Sequence, residues 1–333
     1  MAAQITHFGT TGDGRQVQAI RIAGGALAAT VLTHGARLQS LYLDGVAHSL
    51  TLGFRGLAPY DGDFAHFGAI IAPLVNRIGG AQAMIEGEFY RFPTNDGPNT
   101  LHSGKAGSHH AIWEFVDHGA ARVTLSLLQP AGEGGFPGNR RIVAAYWLAG
   151  DTLHLDITAQ TDAPTLMNIA HHGYWNMDGS PTWAGHTLTV DAAHFLPTTD
   201  ANLPTGEIAA LDRRPRDFRE PRQVAPGEIP KLDHNFCLAD ARRPLTPVLH
   251  LAGSSGPRMW LATTEPGIQI FDAATIDPGD TATVHGRPYG TYAGLAFEPQ
   301  FWPDAPNHPA FPSIVLQPGS AWYQNTTFSF TKA

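Results

Sequence analysis

The chain is predicted to be all-β, a large antiparallel β-sandwich with few short helices. Apolar and polar residues alternate along many short runs, the period of a strand buried on one face. Turn formers are abundant, with 36 glycines and 26 prolines among 333 residues, and they bracket those runs. Helical periodicity is nearly absent.

Strand-like runs begin near residue 17 and continue to about residue 330. The best helical stretch, 57–72, is interrupted by Pro59 and Gly62. "RVTLSLL" (122–128) alternates cleanly. The glycine-rich "GEGGFPG" (132–138) is not followed by a helix, so it is not a phosphate or dinucleotide loop. "TLHLDITA" (152–159) sets Leu153, Leu155 and Ile157 on one face and His154, Asp156 and Thr158 on the other. "HTLTVD" (186–191) and "RMWLATT" (258–264) repeat the pattern. With no fixed-period repeat, a sandwich or barrel is favoured over a propeller. The Pro/Arg-rich segment 202–231 reads as a long loop, so a single domain spanning 1–333 is expected, with a division there as the lesser alternative.

Composition narrows the function classes. Apolar content of 43% with 15% charged residues describes a folded chain. A formal charge of −8 gives no general attraction to nucleic acid or to an anionic membrane surface. The stretch "RRPRDFREPR" (213–222) interleaves arginines with acids and prolines and reads as a solvated loop. Cys237 is the only cysteine, so no internal disulfide forms, and it reads as an inert small hydrophobe. The opening "MAAQITHFGTTGDGRQ" lacks the basic and apolar regions of a secretory signal, and no apolar run reaches the length of a membrane span. A cytoplasmic location is expected.

Five clusters combine polar side chains with turn residues, as loops building a site at one end of a sheet do: "LVNRIGG" (74–80), "TNDGPNTLHSG" (94–104), "NIAHHGYWN" (168–176), "KLDHNF" (231–236) and "LAFEPQ" (295–300). Amides and charges suit hydroxyl groups, and aromatics nearby in sequence, Tyr174, Trp175 and Trp302, suit the apolar faces of a sugar. Glu298 stands out, because glutamate is a poor strand former, rarely buried unless paired, yet it closes an apolar run. Seventeen histidines raise the question of a metal. Adjacent histidines on a strand point to opposite faces, and no Cys cluster or His-Glu-x-x-His spacing is present, so neither metal nor cofactor is expected. No Gly-x-Ser-x-Gly elbow supports a hydrolase triad.

These clusters, in this order, resemble the aldose 1-epimerases. The most specific match is "GLAFEPQFWPDAPNHPAFPSIVLQPGSAWYQNTTFSF" (294–330), similar to that family's Glu-Pro-Gln, Pro-Asp-Ala and Asn signature and closing strands. "NRIGGA", "NDGPNTLHSG", "GFPG", "HHGYWNM", "LDHNF" and "PGIQIF" extend the likeness from about residue 30 to the end. The resemblance implies a large β-sandwich and cofactor-free interconversion of the α and β anomers of a free aldose. By the same likeness Glu298 would take the proton of the C1 hydroxyl and His172 would protonate the ring oxygen. His102 would hydrogen-bond the sugar beside His172, with Arg77, Asp233, Gln269, Asn76 and Tyr174 as further substrate-binding residues. A histidine titrating near neutrality paired with a carboxylate suits such a reaction.

Where the family usually has Asn before the catalytic His, this chain has His171, and Ala170 and Gly173 replace the usual Thr and Ser/Thr around it. Ala72-Pro73 replaces a common Gly-Arg, "NDG" replaces the frequent Asn-Asn-Gly, and Ser103 replaces a Gly. Other readings are a sugar-phosphate mutarotase, for which the clusters offer mainly Arg77 and Lys105, and a glycosidase built on Asp233 and Glu298. A non-catalytic carbohydrate-binding protein is the remaining class. The expected partner is a monosaccharide, and the chain is expected to act as a monomer or homodimer.

Overall fold

The computed structural model describes residues 4–212, 214–229 and 232–332. Arg213 and Lys231, each part of a segment singled out above, lie outside the described residues, as do the two ends of the 1–333 reading. Strands dominate, and no helix exceeds three residues among the described residues.

A nine-stranded antiparallel sheet forms one wall. Its order is Glu114–Gly119, Arg122–Gln129, Arg140–Ala149, Thr152–Thr161, Trp322–Thr331, Arg258–Thr263, Thr246–Ala252, Thr187–Val190 and Arg222–Gln223. The runs read from alternation at 122–128, 152–159, 186–191 and 258–264 are all strands of this sheet. A six-stranded sheet faces it, ordered Tyr174–Trp175, Leu295–Gln300, Gly267–Phe271, Asp233–Cys237, His194–Phe195 and Ala209–Ala210. The first four strands, Gln4–Thr10, Gln16–Gly24, Leu27–Leu32 and Arg37–Leu43, make a separate antiparallel sheet. Segment 202–231 contributes one short strand to the six-stranded sheet and another to the nine-stranded sheet.

One apolar cluster joins the three sheets. Leu153, Leu155 and Ile157 meet Ile268, Ile270, Leu295 and Phe297, with Ile20, Ile22 and Val31 from the first sheet. Each such side chain, fully buried, contributes about 1.5–3 kcal/mol. Because side chains alternate along a strand, the same pattern that buries Leu295 and Phe297 in this core turns Ala296 and Glu298 to the opposite face of the six-stranded sheet.

Two local expectations are corrected. Segment 57–72 is a string of turns followed by the short strand Ile70–Ile71 rather than a helix: the turns' backbone bonds reach three, four or five residues back, as in Tyr60 and Asp61 to Leu57 and Phe64 to Pro59, and Gly68 has a φ of 65°. Glu298 does not end its strand, which continues through Pro299 to Gln300. The neighbour Tyr174–Trp175 pairs only with Ala296 and Leu295, so one edge is open by the time the chain reaches Pro299, and a residue without an N–H is tolerated there. Asn168 covers that edge with a reciprocal pair of hydrogen bonds to Phe301. No helix among the described residues is long and apolar enough to cross a membrane.

Candidate active site

A cleft of about 490 Å³ opens on the face of the six-stranded sheet that carries Glu298, within the size range of small-ligand sites. Glu298 lies in register with Gln269, and Gln269 with Asn235, a row of polar side chains across three strands. Asp233 enters the cleft two residues along the same face as Asn235. Tyr174 pairs with Ala296, which places its ring beside Glu298 on that face.

His172 is held by backbone bonds to a turn: the Gly68 N–H donates to its carbonyl at 2.8 Å and its own N–H donates to the Ala69 carbonyl at 2.9 Å. Across the cleft floor His172 Nε2 stands 3.5 Å from Glu298 Oε1. His102 sits at a left-handed turn, with φ values of 53° at His102 and 63° at Ser103. That conformation is uncommon outside glycine, and the Ser103 hydroxyl helps hold it by bonding both the N–H and the carbonyl of Leu74. The Asn76 N–H donates to His102 Nδ1 at 3.1 Å. Nδ1 is therefore the acceptor, and in the neutral ring the proton sits on Nε2. Arg77 reaches the cleft with its Nε bonded to Asp96 at 2.8 Å.

Burial dominates the electrostatics. It raises the Glu298 pKa well above the usual carboxylate range, Asp233 adds to the rise, and Arg77 opposes it. It holds His172 well below the usual imidazole value, with His66 adding to that effect. His102 is lowered well below its usual value by burial and by His172. Both members of the 3.5 Å pair are thus driven toward their neutral forms. Asp272, buried and also lining the cleft, is pushed up to about 6 by that burial. Glu298 Oε2 is buried without a hydrogen-bond partner, a costly state in a closed core and a useful one in a site that receives hydroxyls.

Of the residues singled out in the sequence, Glu298, His172, His102, Arg77, Asp233, Asn76 and Tyr174 all line this cleft. Gln269 stands behind it, its Nε2 donating to Asp233 Oδ1 at 2.6 Å. His171 points away from His172, into the core beside Tyr146, Trp175 and Phe328. A Cβ on Gly173 would lie 2.4 Å from His171 Cε1, so the larger ring at 171 and the missing side chain at 173 fit each other.

The expected aromatic wall is corrected. Trp175 alternates into the core and stacks on Phe328 at 4.7 Å, and Trp302 is buried against Phe311 with its indole N–H on the Pro266 carbonyl. Phe271 provides the wall instead, with Leu232 and Ile276 beside it and the fully buried Tyr174 packed edge-on against Phe271. Sequence reasoning also missed His66 and Asn202, which line the cleft from turn-rich segments with no local signature. Among the described residues, no group of three or more His, Cys, Asp or Glu side chains is arranged to hold a metal ion.

The sequence profile of the aldose 1-epimerases matches residues 18–329. The chain belongs to the aldose 1-epimerase family. Family membership makes it an isomerase that interconverts the anomers of an aldose. Among curated relatives, the chain is 32% identical over 329 residues to the galactose mutarotase of Bos taurus, covering 95% of each chain. It is 28% identical over 336 residues to the aldose 1-epimerase of Escherichia coli, covering 96% of each. Its fold matches the crystal structure of an aldose epimerase homologue from C. elegans with a TM-score of 0.88 at 30% identity, over 95% of this chain and 99% of that one.

Proposed function

We propose that the cleft performs anomer interconversion on a free aldose by general acid/base catalysis, with Glu298 and His172 as the proton-transfer pair. The observation that carries this reading is the 3.5 Å separation of His172 Nε2 and Glu298 Oε1. The two oxygens that exchange protons, the C1 hydroxyl and the ring oxygen, are bonded to one carbon, so base and acid must converge on one spot. Glu298 takes the proton of the C1 hydroxyl while His172 delivers one to the ring oxygen, and the C1–ring oxygen bond breaks to leave an aldehyde. Rotation about C1–C2 turns the other carbonyl face to the chain hydroxyl. Closure returns both protons by the reverse transfers.

Opening converts an ionised pair into a neutral one, carboxylic acid beside neutral imidazole. Burial favours that neutral state, which offsets part of the intrinsic cost of the open chain. The bound sugar and Arg77 favour the ionised state. A site balanced between the two suits a reaction that must run both ways. Each proton-transfer group contributes about 10²–10⁴-fold.

His102 offers Nε2–H to a sugar oxygen. Arg77, Asp233 and Asn76 bind hydroxyls, Gln269 steadies Asp233, and Phe271, backed by Tyr174, covers an apolar sugar face. Arg77 is the one cationic side chain lining the cleft among the described residues, and Asp96 already neutralises it, which favours a free sugar over a sugar phosphate. We take the chain to act in the cytoplasm as one domain, as monomer or homodimer. Polarimetry or NMR on freshly dissolved pure anomers of galactose, glucose, xylose, arabinose and fucose tests the reading. Faster equilibration of at least one free sugar is expected, and none across the panel would overturn it.

A further inference from the structure

His66 carries no role in the acid/base scheme, yet it is built into the site. It lies in the turn whose Gly68 and Ala69 backbone groups hold His172. Its ring meets the His172 ring edge-on at 4.8 Å and lies nearly parallel to that of His102, 6.3 Å away and tilted by 19°. Its Nε2 is 3.1 Å from the Tyr174 hydroxyl. Tyr174 is fully buried, stacks on Phe67 at 4.2 Å, and is fixed at its backbone by pairing with Ala296. The phenol oxygen therefore sits at a set point, and only the direction of its hydrogen is free.

Two arrangements are open to the His66–Tyr174 contact: the phenol donates to the imidazole, or the imidazole N–H donates to the phenol. Burial lowers the His66 pKa to about 4, so the ring is neutral and has one N–H. Burial, with Glu298 and Asp233 close by, keeps the Tyr174 phenol protonated. Those two acidic side chains lie on the cleft side of Tyr174, and a phenol hydrogen aimed toward them is electrostatically favoured over one aimed at His66.

We propose that His66 is a positioning residue for the anomerisation reaction: its Nε2–H donates to the Tyr174 oxygen and so commits the Tyr174 O–H to the cleft, where it serves the sugar or the Glu298 carboxylate. The proposal rests on the reading of this cleft as the anomerisation site. A neutral His66 also leaves the neighbouring His172 free to take up its proton without a second positive charge 4.8 Å away.

The test uses four variants, His66→Phe, His66→Gln, Tyr174→Phe and the double phenylalanine variant, in one anomerisation assay, with the unsubstituted protein as the control for the underlying activity. If that control is inactive, the site reading fails. If it is active, the variants judge His66 alone. His66→Phe keeps a flat ring and removes the donor, and a loss of about tenfold in kcat is expected, the usual weight of one hydrogen bond. His66→Gln places an N–H near the position of Nε2 and should recover to within about threefold of the parent. His66→Phe combined with Tyr174→Phe should be no slower than Tyr174→Phe alone, because the first acts through the second. A merely structural role would give Gln no advantage over Phe. The proposal is overturned if His66→Phe retains more than about half of kcat, if Gln is as slow as Phe, or if the two phenylalanine losses multiply.

Discussion

Replacing Glu298 by glutamine separates what this residue costs the fold from what it does for the reaction. Its side chain is buried at 2% exposure, and desolvation with Asp233 nearby raises its pKa well above 4.5. A carboxyl whose native pKa exceeds its unfolded value contributes fully below the unfolded pKa. Its contribution then falls as pH rises and levels off above the native pKa. Its Oε2 is buried without a hydrogen-bond partner, which costs more for a charged group than for a neutral one. Arg77 restrains the rise, and the amide retains most of the shape, so Glu298→Gln is expected to melt higher than the parent near neutral pH. The gain should vanish near pH 4, where the parent carboxyl is largely neutral in both states. Activity should fall by about 10²–10⁴-fold. Calorimetric melts at about pH 4 and pH 7.5, beside polarimetry, read both effects. A variant less stable than the parent at neutral pH, or a gain independent of pH, would refute the desolvation argument. Activity within about tenfold of the parent would remove Glu298 from the proton transfer.

Other outcomes follow from the same geometry. His172→Asn should lower kcat by about 10²–10⁴-fold with a smaller change in KM, since the proposed scheme puts the ring on the reacting oxygen; near-normal turnover would exclude it. The pH dependence of kcat/KM should be bell-shaped, because the pair must carry one proton. Acid adds a second proton to His172, whose lowered pKa puts that limb well below 6.5. Alkali removes the shared proton from Glu298, whose raised pKa puts the other limb well above 4.5. Gly173→Ser would press a Cβ to 2.4 Å from the His171 ring, costing about 1–3 kcal/mol in a denaturant melt. Adding His171→Asn should recover most of that loss, and purely additive effects would contradict the packing account.

Much of the fold was legible because strand alternation is a local property. The runs at 122–128, 152–159, 186–191 and 258–264 became strands at nearly those bounds, since each buries one face and wets the other along its own length. The string of turns within 57–72, ahead of the strand at Ile70–Ile71, was not legible as such, because its backbone bonds switch among several spacings. Tyr174 and Trp175 look equally suited to a sugar face in the sequence, and only the side on which the core lies separates them. His66 left no trace, since its importance comes from residues 102, 172 and 174, which lie far along the chain.

The order of motifs, by itself, determined the all-β class, the family likeness and the side chains able to move protons, because composition and alternation are written residue by residue. Tertiary structure alone decided that a carboxylate from one strand and an imidazole from the loop after another stand 3.5 Å apart in a shared cleft, with a second histidine beside them. Strand register and burial shift the pKa of each group, and both arise from segments that meet only when the sheets close on one another.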